Sequence, residues 1–493
     1  MRALWTRIST AVALASALAL LIAAAADAGT RSLPATAAAA DAGAGPLPAF
    51  TSGNGITVQS VQRLDDRLDA LTVTTGAVDG PLHIRVLLPD GYAQHPTRRY
   101  PVLYLVHGTS GGAADWTDQG AAEATTAGRP LITVMPDIGV NDNGGGYCTN
   151  WFNGGRGGQP LWETFEIGQV IPFIDRVLRT RANRGGRAIA GLSQGGFCAL
   201  SLAARHPDMF AAAASFSGAI DTAGDPLSEA LMTPIIQGTT TGLDGVSDPD
   251  AMFGPRASQE INWAAHDPAT LVSNLRGMRL WAYTGNGQPG PLDPIPVNPG
   301  AAGIETGVHI LSAHWKAAAD AAGVPVAYTD YGPGTHSWPY WKRDLQWVIG
   351  PLSAVLSSPP APPALTAYTT AENPWSQWGY QVAISRPARE FSTLSRAGAA
   401  GFELGGSGTA TVLTPGQYRR GSRHRVRMTG PYARRSLIAR ADRRGRLHLR
   451  VPLGPGNPDQ QDTAAAQAAG GTHVYTTAVW IGRALRPAHR RAR

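Results

Sequence analysis

A serine, a histidine and two acidic residues occur along this sequence in an order that suits nucleophilic catalysis. Ser193 lies in GLSQG (191–195), which fits the pattern G-x-S-x-G. An apolar run, RAIAGLS, leads into this turn, and a helical pattern, QGGFCALSLAARHP, follows it. A serine on such a turn has its hydroxyl lifted clear of the sheet, and the helix N-terminus behind it stabilises developing negative charge. The pattern therefore predicts a nucleophile elbow at Ser193.

A serine hydroxyl is a weak nucleophile at neutral pH, so a base must lie beside it. His336, in THSWPYW (335–341), follows an apolar run and precedes a helical pattern at the end of the sheet-forming region. An α/β-hydrolase places its histidine there, last in chain order. The aromatic neighbours Trp338, Tyr340 and Trp341 are expected to shield the imidazole and line an acyl cavity. For Tyr340 and Trp341, ordinary helix packing explains the residue type equally well.

The acid that orients the histidine is expected between Ser193 and His336 if the order serine, acid, histidine holds. Asp293 and Glu305 both follow the strand-like run RLWAYTGNG. Asp293 is nearer the strand end, which slightly favours it, but the residues alone leave both open.

An oxyanion formed at Ser193 needs two backbone N–H donors. One is expected from Gln194, the residue after the nucleophile. The other is expected from the glycine-rich loop HGTSGG (107–112), where Thr109 is the candidate and Gly108 the alternative.

These residues require a framework of strands and helices, and the sequence between 51 and 350 supplies that pattern. Apolar runs of strand length alternate with helical segments, which predicts an α/β fold with a mostly parallel sheet and helices on both faces. The six predicted strands lie within YPVLYLVHG, PLITVMPDIG, RAIAGLS, AAAASFSG, RLWAYTGNG and VPVAYTDYG.

Beyond a proline-rich stretch the sequence changes to short runs of alternating apolar and polar residues, separated by Gly, Pro and Asn turns. This pattern predicts a small antiparallel β-sandwich. No internal repeat is found. The predicted organisation is a signal peptide (1–28), a flexible linker (29–50), an α/β-hydrolase domain (51–350), a Pro-rich linker (351–364), a basic β-sandwich-like domain (365–484) and a basic tail (485–493).

The N-terminus predicts a secretory signal. Arg2 and Arg7 precede an Ala/Leu/Val run that ends near Ala26, and ADA at 26–28 supplies small residues for cleavage. The run is shorter than the ~20 residues that a membrane span needs. We therefore expect a secreted or cell-envelope-associated protein.

The chain has two cysteines, Cys148 and Cys198. Their spacing fits no zinc or haem motif, so neither a metal nor another cofactor is expected. An oxidising exterior would let them pair if they are close, which the sequence leaves open.

The formal charge of +7 conceals an asymmetry. Residues 351–493 contain 20 Arg and 6 acidic residues, whereas the preceding part contains 22 basic and 29 acidic ones. A basic C-terminal domain would concentrate near an anionic cell-envelope polymer or a lipid surface. A solvated arginine-rich face is an equally good interpretation. No specific nucleic acid is expected.

Several motifs together resemble the secreted antigen 85 mycolyltransferases and the wider esterase D-like family. They are GLSQGG, LWETFEIGQVIPFI, FGPRASQEINWAAHDP, LWAYTGNG and GTHSWPYW, and the similarity covers residues 75–350. The resemblance implies a Ser–Glu–His triad, with the glutamate on a helix about thirty residues before the histidine, and so favours Glu305.

The same resemblance implies transfer of a fatty acyl group from an acyl-trehalose or acylglycerol ester through an acyl-serine. In the family the oxyanion loop carries an aspartate and an arginine that contact trehalose, and the matching positions here are His107 and Ser110. We assign these two residues, with Trp263 and Trp338, to the substrate pocket. Because His107 and Ser110 replace the family's trehalose-contacting residues, the acyl acceptor could be water, a sugar or glycerol. A non-catalytic wall-binding or matrix-binding protein on a hydrolase scaffold is the alternative.

Overall fold

The structure, a computed structural model, describes residues 48–139, 144–154 and 161–485. These residues form two compact units. The first contains the described residues up to Arg256 together with His266–Ala361, and the second contains Ala257–Ala265 and the chain from Pro362 onward. The predicted signal peptide, residues 29–47 of the predicted linker and residues 486–493 of the predicted tail lie outside the described residues.

The first unit is built on a nine-stranded sheet of order β1-β2-β3-β5-β4-β6-β7-β8-β9. The strands from β5 to β9 in that order are parallel, whereas β1, β2 and β3 pair antiparallel with their neighbours. The strands are Ile56–Arg63 (β1), Leu68–Thr75 (β2), Leu82–Leu87 (β3), Val102–Val106 (β4), Ile132–Pro136 (β5), Arg187–Leu192 (β6), Ala212–Phe216 (β7), Arg279–Thr284 (β8) and Ala327–Asp330 (β9).

The central strands β4 to β7 are buried along their whole length. Strands of this kind need cover on both faces, which agrees with the predicted α/β fold with helices on both faces of a mostly parallel sheet. The helices of this unit are Asp115–Asp118 (α1), Ala122–Thr126 (α2), Ile171–Val177 (α3), Gln194–Arg205 (α4), Pro226–Gly238 (α5), Pro299–Ala321 (α7) and Trp338–Ser357 (α8), with π-helical turns at Thr164–Val170 and Thr239–Leu243 and 3-10 turns at Arg184–Gly186 and Val272–Leu275.

The second unit contains two antiparallel sheets, of order β10-β13-β14-β19-β16-β17 and β11-β12-β15-β18, which confirms the predicted C-terminal β domain. Its core includes Tyr380, Leu404 and Val451. The strands are Thr366–Thr370 (β10), Trp375–Gln377 (β11), Tyr380–Ser385 (β12), Ser392–Gly398 (β13), Gly401–Gly406 (β14), Gly408–Leu413 (β15), Arg423–Gly430 (β16), Ala433–Arg440 (β17), His448–Gly454 (β18) and Tyr475–Ala484 (β19); the helices are Arg256–Ala264 (α6) and Ala464–Ala468 (α9).

Two details of the chain differ from the predicted boundaries. Helix α8 continues to Ser357, seven residues past the predicted end of the first domain, with Pro351 inside it. The residues after Pro351 keep an apolar face, since Leu352 and Leu356 are buried in the core of the first unit. Residues 257–265 group with the second unit, where Ile261 and Ala265 pack against Ala371. None of the described helices is both long enough and apolar enough to cross a bilayer.

Candidate active site

Ser193 lies between the end of β6 and the start of α4, with φ 53° and ψ −122°. This left-handed conformation is unfavourable for a residue with a Cβ, so the surrounding packing must impose it. Glycines make the turn possible: a Cβ on Gly191 would lie 2.3 Å from the Gly195 carbonyl oxygen, and one on Gly195 would lie 2.2 Å from the His107 carbonyl oxygen. The Ser193 N–H donates to the Phe216 carbonyl oxygen at 2.9 Å. The predicted elbow geometry is therefore present.

Ser193, His336 and Glu305 form a continuous chain of hydrogen bonds. His336 lies between β9 and α8, and its Nε2 is 2.8 Å from Ser193 Oγ. Its Nδ1 is 2.7 Å from Glu305 Oε2. The structure thus brings together three residues that are 31 and 112 positions apart in sequence, in the donor and acceptor order that lets His336 Nε2 accept the serine proton.

The carboxylate of Glu305 lies on α7 and has no solvent exposure. Its second oxygen, Oε1, accepts hydrogen bonds from Ser217 Oγ at 2.8 Å, Gly285 N–H at 2.7 Å and Thr284 Oγ1 at 3.3 Å. These donors satisfy the hydrogen-bonding capacity of Oε1 in a buried position and fix the direction of Oε2 toward His336.

Asp293, the alternative acid, contacts neither Ser193 nor His336. Its carboxylate accepts hydrogen bonds from the Thr335 hydroxyl, from Tyr340 Oη at 3.1 Å and from Gly290 N–H at 2.7 Å. Asp293 therefore holds the loop before His336 rather than the imidazole itself.

The backbone N–H groups of Thr109 and Gln194 fit the requirements for oxyanion donors. Within the described residues no protein acceptor receives a hydrogen bond from either N–H. The two residues are joined through their side chains, because Thr109 Oγ1 donates to Gln194 Oε1 at 2.7 Å. Gln194 is buried, so this contact ties the oxyanion loop to the start of α4.

A cavity of about 800 Å³ opens beside Ser193 and His336. Its polar lining includes Ser110, Asp115 and Gln119, and side chains of α5, α7 and α8 supply an apolar lining. The apolar lining includes Leu231, Met232, Ile235, Ile304, Val308, Leu311, Trp338 and Trp341.

The aromatic residues after His336 have different roles. Trp341 packs edge-on against the His336 ring, with 4.9 Å between ring centroids, and Trp338 packs edge-on against Trp341 at 5.3 Å. Both line the cavity. Tyr340 is fully buried, stacks on Tyr331 at 5.4 Å and donates to Asp293, so it packs against the loops beside His336 and does not line the cavity.

Two of the four residues assigned to the pocket do not line it. The His107 ring is buried: its Nδ1 is 2.7 Å from the Gly108 carbonyl oxygen, and its Nε2 accepts from Ile138 N–H at 3.0 Å. His107 therefore braces the oxyanion loop from behind. Trp263 is 2% exposed and belongs to the α6 segment of the second unit. Ser110 and Trp338 do line the cavity.

Burial changes the charge near Glu305. It raises the pKa of Asp344, on α8, to about 7. Arg343 donates to Asp344 Oδ1 at 2.8 Å and opposes this rise, whereas the charge of Glu305 adds to it. The raised pKa favours the neutral form of Asp344, which limits the negative charge buried near Glu305.

Among the described residues, Asp221, Asp225 and His314 have ligand atoms within 4.8 Å of one another, as a metal site would require. Asp225 already caps α5 through Leu227 N–H at 2.8 Å, and Ser228 Oγ donates to Asp221 at 2.7 Å. None of the three lines the cavity, so they take no part in the geometry at Ser193.

A disulfide joins Cys148 to Cys198, which answers the question that the sequence left open. Cys198 lies on α4, and the neighbour of Cys148, Tyr147, lines the cavity and packs on Phe197 at 5.5 Å. The bond therefore pins one wall of the cavity to the helix that follows Ser193.

Removing this disulfide is expected to lower the free energy of unfolding by about 2–4 kcal/mol, because the unfolded chain regains the entropy of an open loop. Urea unfolding of the Cys148→Ala/Cys198→Ala variant measures this. Reducing agent should lower the midpoint of the wild type and leave that of the variant unchanged. Equal midpoints for oxidised wild type and variant would contradict the expectation.

Comparison with known proteins places this geometry in a family. The family model "Putative esterase" matches residues 75–348, which is more than half of the chain. The chain belongs to this esterase family. The matched region contains Ser193, Glu305 and His336, and it ends within α8.

Curated relatives of this esterase family carry two kinds of name. Esterase Rv1288 of Mycobacterium tuberculosis is 31% identical over 313 residues, which cover 61% of this chain and 63% of that protein. The chain thus aligns with less than two thirds of that relative's length. Diacylglycerol acyltransferase/mycolyltransferase Ag85A of Mycobacterium ulcerans is 31% identical over 272 residues, covering 51% of this chain and 74% of that protein. The resemblance to the antigen 85 proteins is confirmed.

Among solved structures, that of Mycobacterium tuberculosis MPT51 (FbpC1) aligns with a TM-score of 0.46 and 24% identity, covering 58% of this chain and 97% of that one.

Sequence reasoning missed the donors to Glu305. Ser217 follows β7 directly, and Thr284 is the last residue of β8. Both are polar residues at the carboxyl end of a buried strand, on the same sheet edge as Ser193, where α/β enzymes place functional groups. Their position at the carboxyl ends of buried strands could have identified Ser217 and Thr284 from the sequence.

Proposed function

We propose that this esterase-family protein is a serine acyl-ester enzyme that works through a covalent acyl-serine. Ser193 Oγ attacks the ester carbonyl, and His336 Nε2 takes its proton and returns it to the leaving alcohol. Glu305 orients the imidazole and stabilises its cation. The N–H groups of Gln194 and Thr109 bind the oxyanion. No cofactor takes part in these steps.

One observation carries the proposal: the hydrogen bonds from Ser193 to His336 and from His336 to Glu305, at 2.8 and 2.7 Å. A protein that only binds has no need to hold a serine in a strained conformation against an imidazole paired with a buried carboxylate. This geometry speaks against a non-catalytic wall-binding or matrix-binding protein.

The cavity suggests how an ester is seated. The apolar side chains that α5 and α7 contribute to the lining suit a fatty acyl chain, since burying each CH₂ group contributes about 0.8 kcal/mol. Ser110, Asp115 and Gln119 suit the hydroxyl groups of an alcohol portion, because their side chains offer donors and acceptors next to the oxyanion loop. An acyl-sugar or acylglycerol ester matches both parts.

Deacylation by water gives an esterase, and deacylation by a sugar or glycerol hydroxyl gives an acyltransferase. Product analysis separates the two. The protein is incubated with a medium-chain acyl ester, with and without trehalose or glycerol, and products are identified by mass spectrometry beside a Ser193→Ala control. Acylated acceptor would establish transfer, and free acid alone would establish hydrolysis. Absence of both products from the wild type would contradict the proposal.

Replacing Thr109 with valine is expected to lower kcat/KM about tenfold to a hundredfold. The substitution removes the hydroxyl that is held by Gln194 Oε1, so the Thr109 N–H loses part of its fixed position at the oxyanion. Ester kinetics measure the effect, mainly in kcat. Thr109→Ser keeps the hydroxyl and should stay within a few fold of wild type. Equal losses in both variants would show that the hydroxyl has no positioning role.

We also propose that the protein acts outside the cytoplasm, secreted or associated with the cell envelope. The Cys148–Cys198 disulfide supports this, because such bonds persist in oxidising compartments. The predicted signal peptide supports it from sequence. The predicted attraction of the basic C-terminal domain to an anionic envelope polymer or lipid surface remains part of this proposal.

A further inference from the structure

One side of the six-stranded sheet in the second unit displays a row of arginines. Along β16, Arg423, Arg425 and Arg427 are exposed and alternate with buried residues, so all three point to the same side. On β17, Arg440 lies opposite Arg423, and Arg434 lies opposite Thr429. We call this side of the sheet the outer face.

The arginines of the outer face are not neutralised. Within the part of the chain that the structure describes, none of these five forms an ion pair with a carboxylate. Glu403, on β14, lies farther across the same face and is 3.6 Å from Arg396. Like charges directly opposite each other destabilise a sheet, so the Arg423–Arg440 pair costs stability that a bound anion would restore.

An exposed aromatic residue lies beside the arginines. Trp480, on β19, is 63% exposed, and its strand neighbours are Arg427 on one side and Gly401 on the other. A Cβ on Gly401 would lie 1.9 Å from the Val479 carbonyl oxygen, so only glycine fits there. The absence of a side chain leaves one side of the indole open.

A cleft of about 240 Å³ lies next to Trp480. Small residues, Gly398, Ala400 and Gly401, line it, together with Arg396 and Glu403. The cleft therefore combines an apolar indole surface with a guanidinium and a carboxylate, which supply hydrogen-bond donors and acceptors within one recess.

This combination of groups fits an acidic sugar chain better than an anionic bilayer or a nucleic acid. The C–H face of a pyranose ring packs on an indole while its hydroxyls bond to charged side chains. An anionic bilayer would call for several apolar side chains inserted together. The outer face exposes large apolar side chains at Trp480 and Ile438, which lie on separate strands, and Leu365 lines the cleft beside Trp480. Single-stranded nucleic acid would call for a series of stacked aromatics.

We propose that the outer face binds an acidic polysaccharide. One sugar ring stacks on Trp480 over the cleft, and acidic groups farther along the chain bind the arginines of β16 and β17. Neighbouring strands lie ~4.8 Å apart and alternate residues on one strand ~6.6 Å apart, so Arg427 and Arg425 follow Trp480 at spacings that an extended glycan can span. This inference does not depend on the chemistry at Ser193.

The test uses the full chain and polygalacturonate as a defined acidic glycan. Its fully methyl-esterified form serves as the neutral control with the same sugar backbone. Binding is measured for the wild type, Trp480→Ala and Arg425→Gln/Arg427→Gln. The matched control is Arg443→Gln/Arg444→Gln, which removes the same charge from two exposed residues in the turn between β17 and β18. Melting temperatures establish that each variant is folded.

We expect Kd for polygalacturonate to rise at least tenfold in Trp480→Ala and in Arg425→Gln/Arg427→Gln, and to stay within twofold in the control variant. The methyl-esterified polymer should bind at least tenfold more weakly than the acid form. Wild-type affinity in either outer-face variant would overturn the proposal, as would an equal loss in the control variant. Tighter binding to phosphatidylglycerol vesicles or to DNA than to polygalacturonate would also overturn it.

Discussion

Replacing Ser193 with alanine is expected to lower kcat on the order of 10⁶-fold and to leave the melting temperature within a few degrees of the wild type. The large loss follows because, in the proposed mechanism, Ser193 Oγ forms the bond to the acyl carbon, and no other hydroxyl lies on the elbow. The small change in stability follows because alanine fits the same backbone position. Ester turnover and a thermal melt measure the two quantities on the same preparation.

Ser201, on α4, provides a matched control for this prediction. Its hydroxyl is buried and donates to the His266 carbonyl oxygen at 2.6 Å, remote from the cavity lining. Ser201→Ala should therefore lower stability by about 1 kcal/mol and leave kcat within a few fold. Residual turnover above 1% of wild type in Ser193→Ala would contradict the assignment of the nucleophile.

Replacing Glu305 with glutamine is expected to lower kcat roughly 10⁴-fold. Three donors converge on Glu305 Oε1, so the amide oxygen of glutamine must stay there and its NH₂ group must face His336. The imidazole then accepts a hydrogen bond at Nδ1 and carries its proton on Nε2. In that tautomer it cannot accept the proton of Ser193. Steady-state kinetics with a soluble ester measure the loss.

Asp293→Asn distinguishes this account from the alternative acid. Asp293 binds Thr335 and Tyr340 rather than the imidazole, so we expect its removal to change kcat by less than about tenfold. A loss in Asp293→Asn as large as that in Glu305→Gln would mean that Asp293, and not Glu305, serves the histidine.

Sequence was sufficient to predict the parallel half of the fold. Five of the six parallel strands are largely apolar and buried, whereas β9 (AYTD) is exposed or half-buried, and each of the six overlaps a predicted run. The antiparallel strands β1 to β3 were not predicted individually. Strand β1 is mostly exposed along ITVQSVQR, so it lacks the apolar run that identifies a buried strand. Its pairing with β2 depends on contacts that its own residues do not encode.

At the site, local patterns identified residues that the backbone itself positions. Ser193 and Gln194 are fixed by the glycines of the elbow, and Thr109 by its glycine-rich loop. The choice between Asp293 and Glu305 could not be made from local sequence, because it depends on how α7 packs against the ends of β7 and β8. His107 and Trp263, which were assigned to the substrate pocket, do not line the cavity, for a similar reason. Residue type does not reveal whether a side chain points into a cavity or away from it.

Covalent labelling of the nucleophile tests the central claim most directly. The full chain is treated with a fluorophosphonate, which forms a stable bond to an activated serine, and the labelled peptide is identified by mass spectrometry. We expect one equivalent of label on Ser193, with labelling abolished in Ser193→Ala and strongly slowed in Glu305→Gln. A wild-type protein that turns over esters but carries the label on another residue, or carries none, would contradict the acyl-serine mechanism.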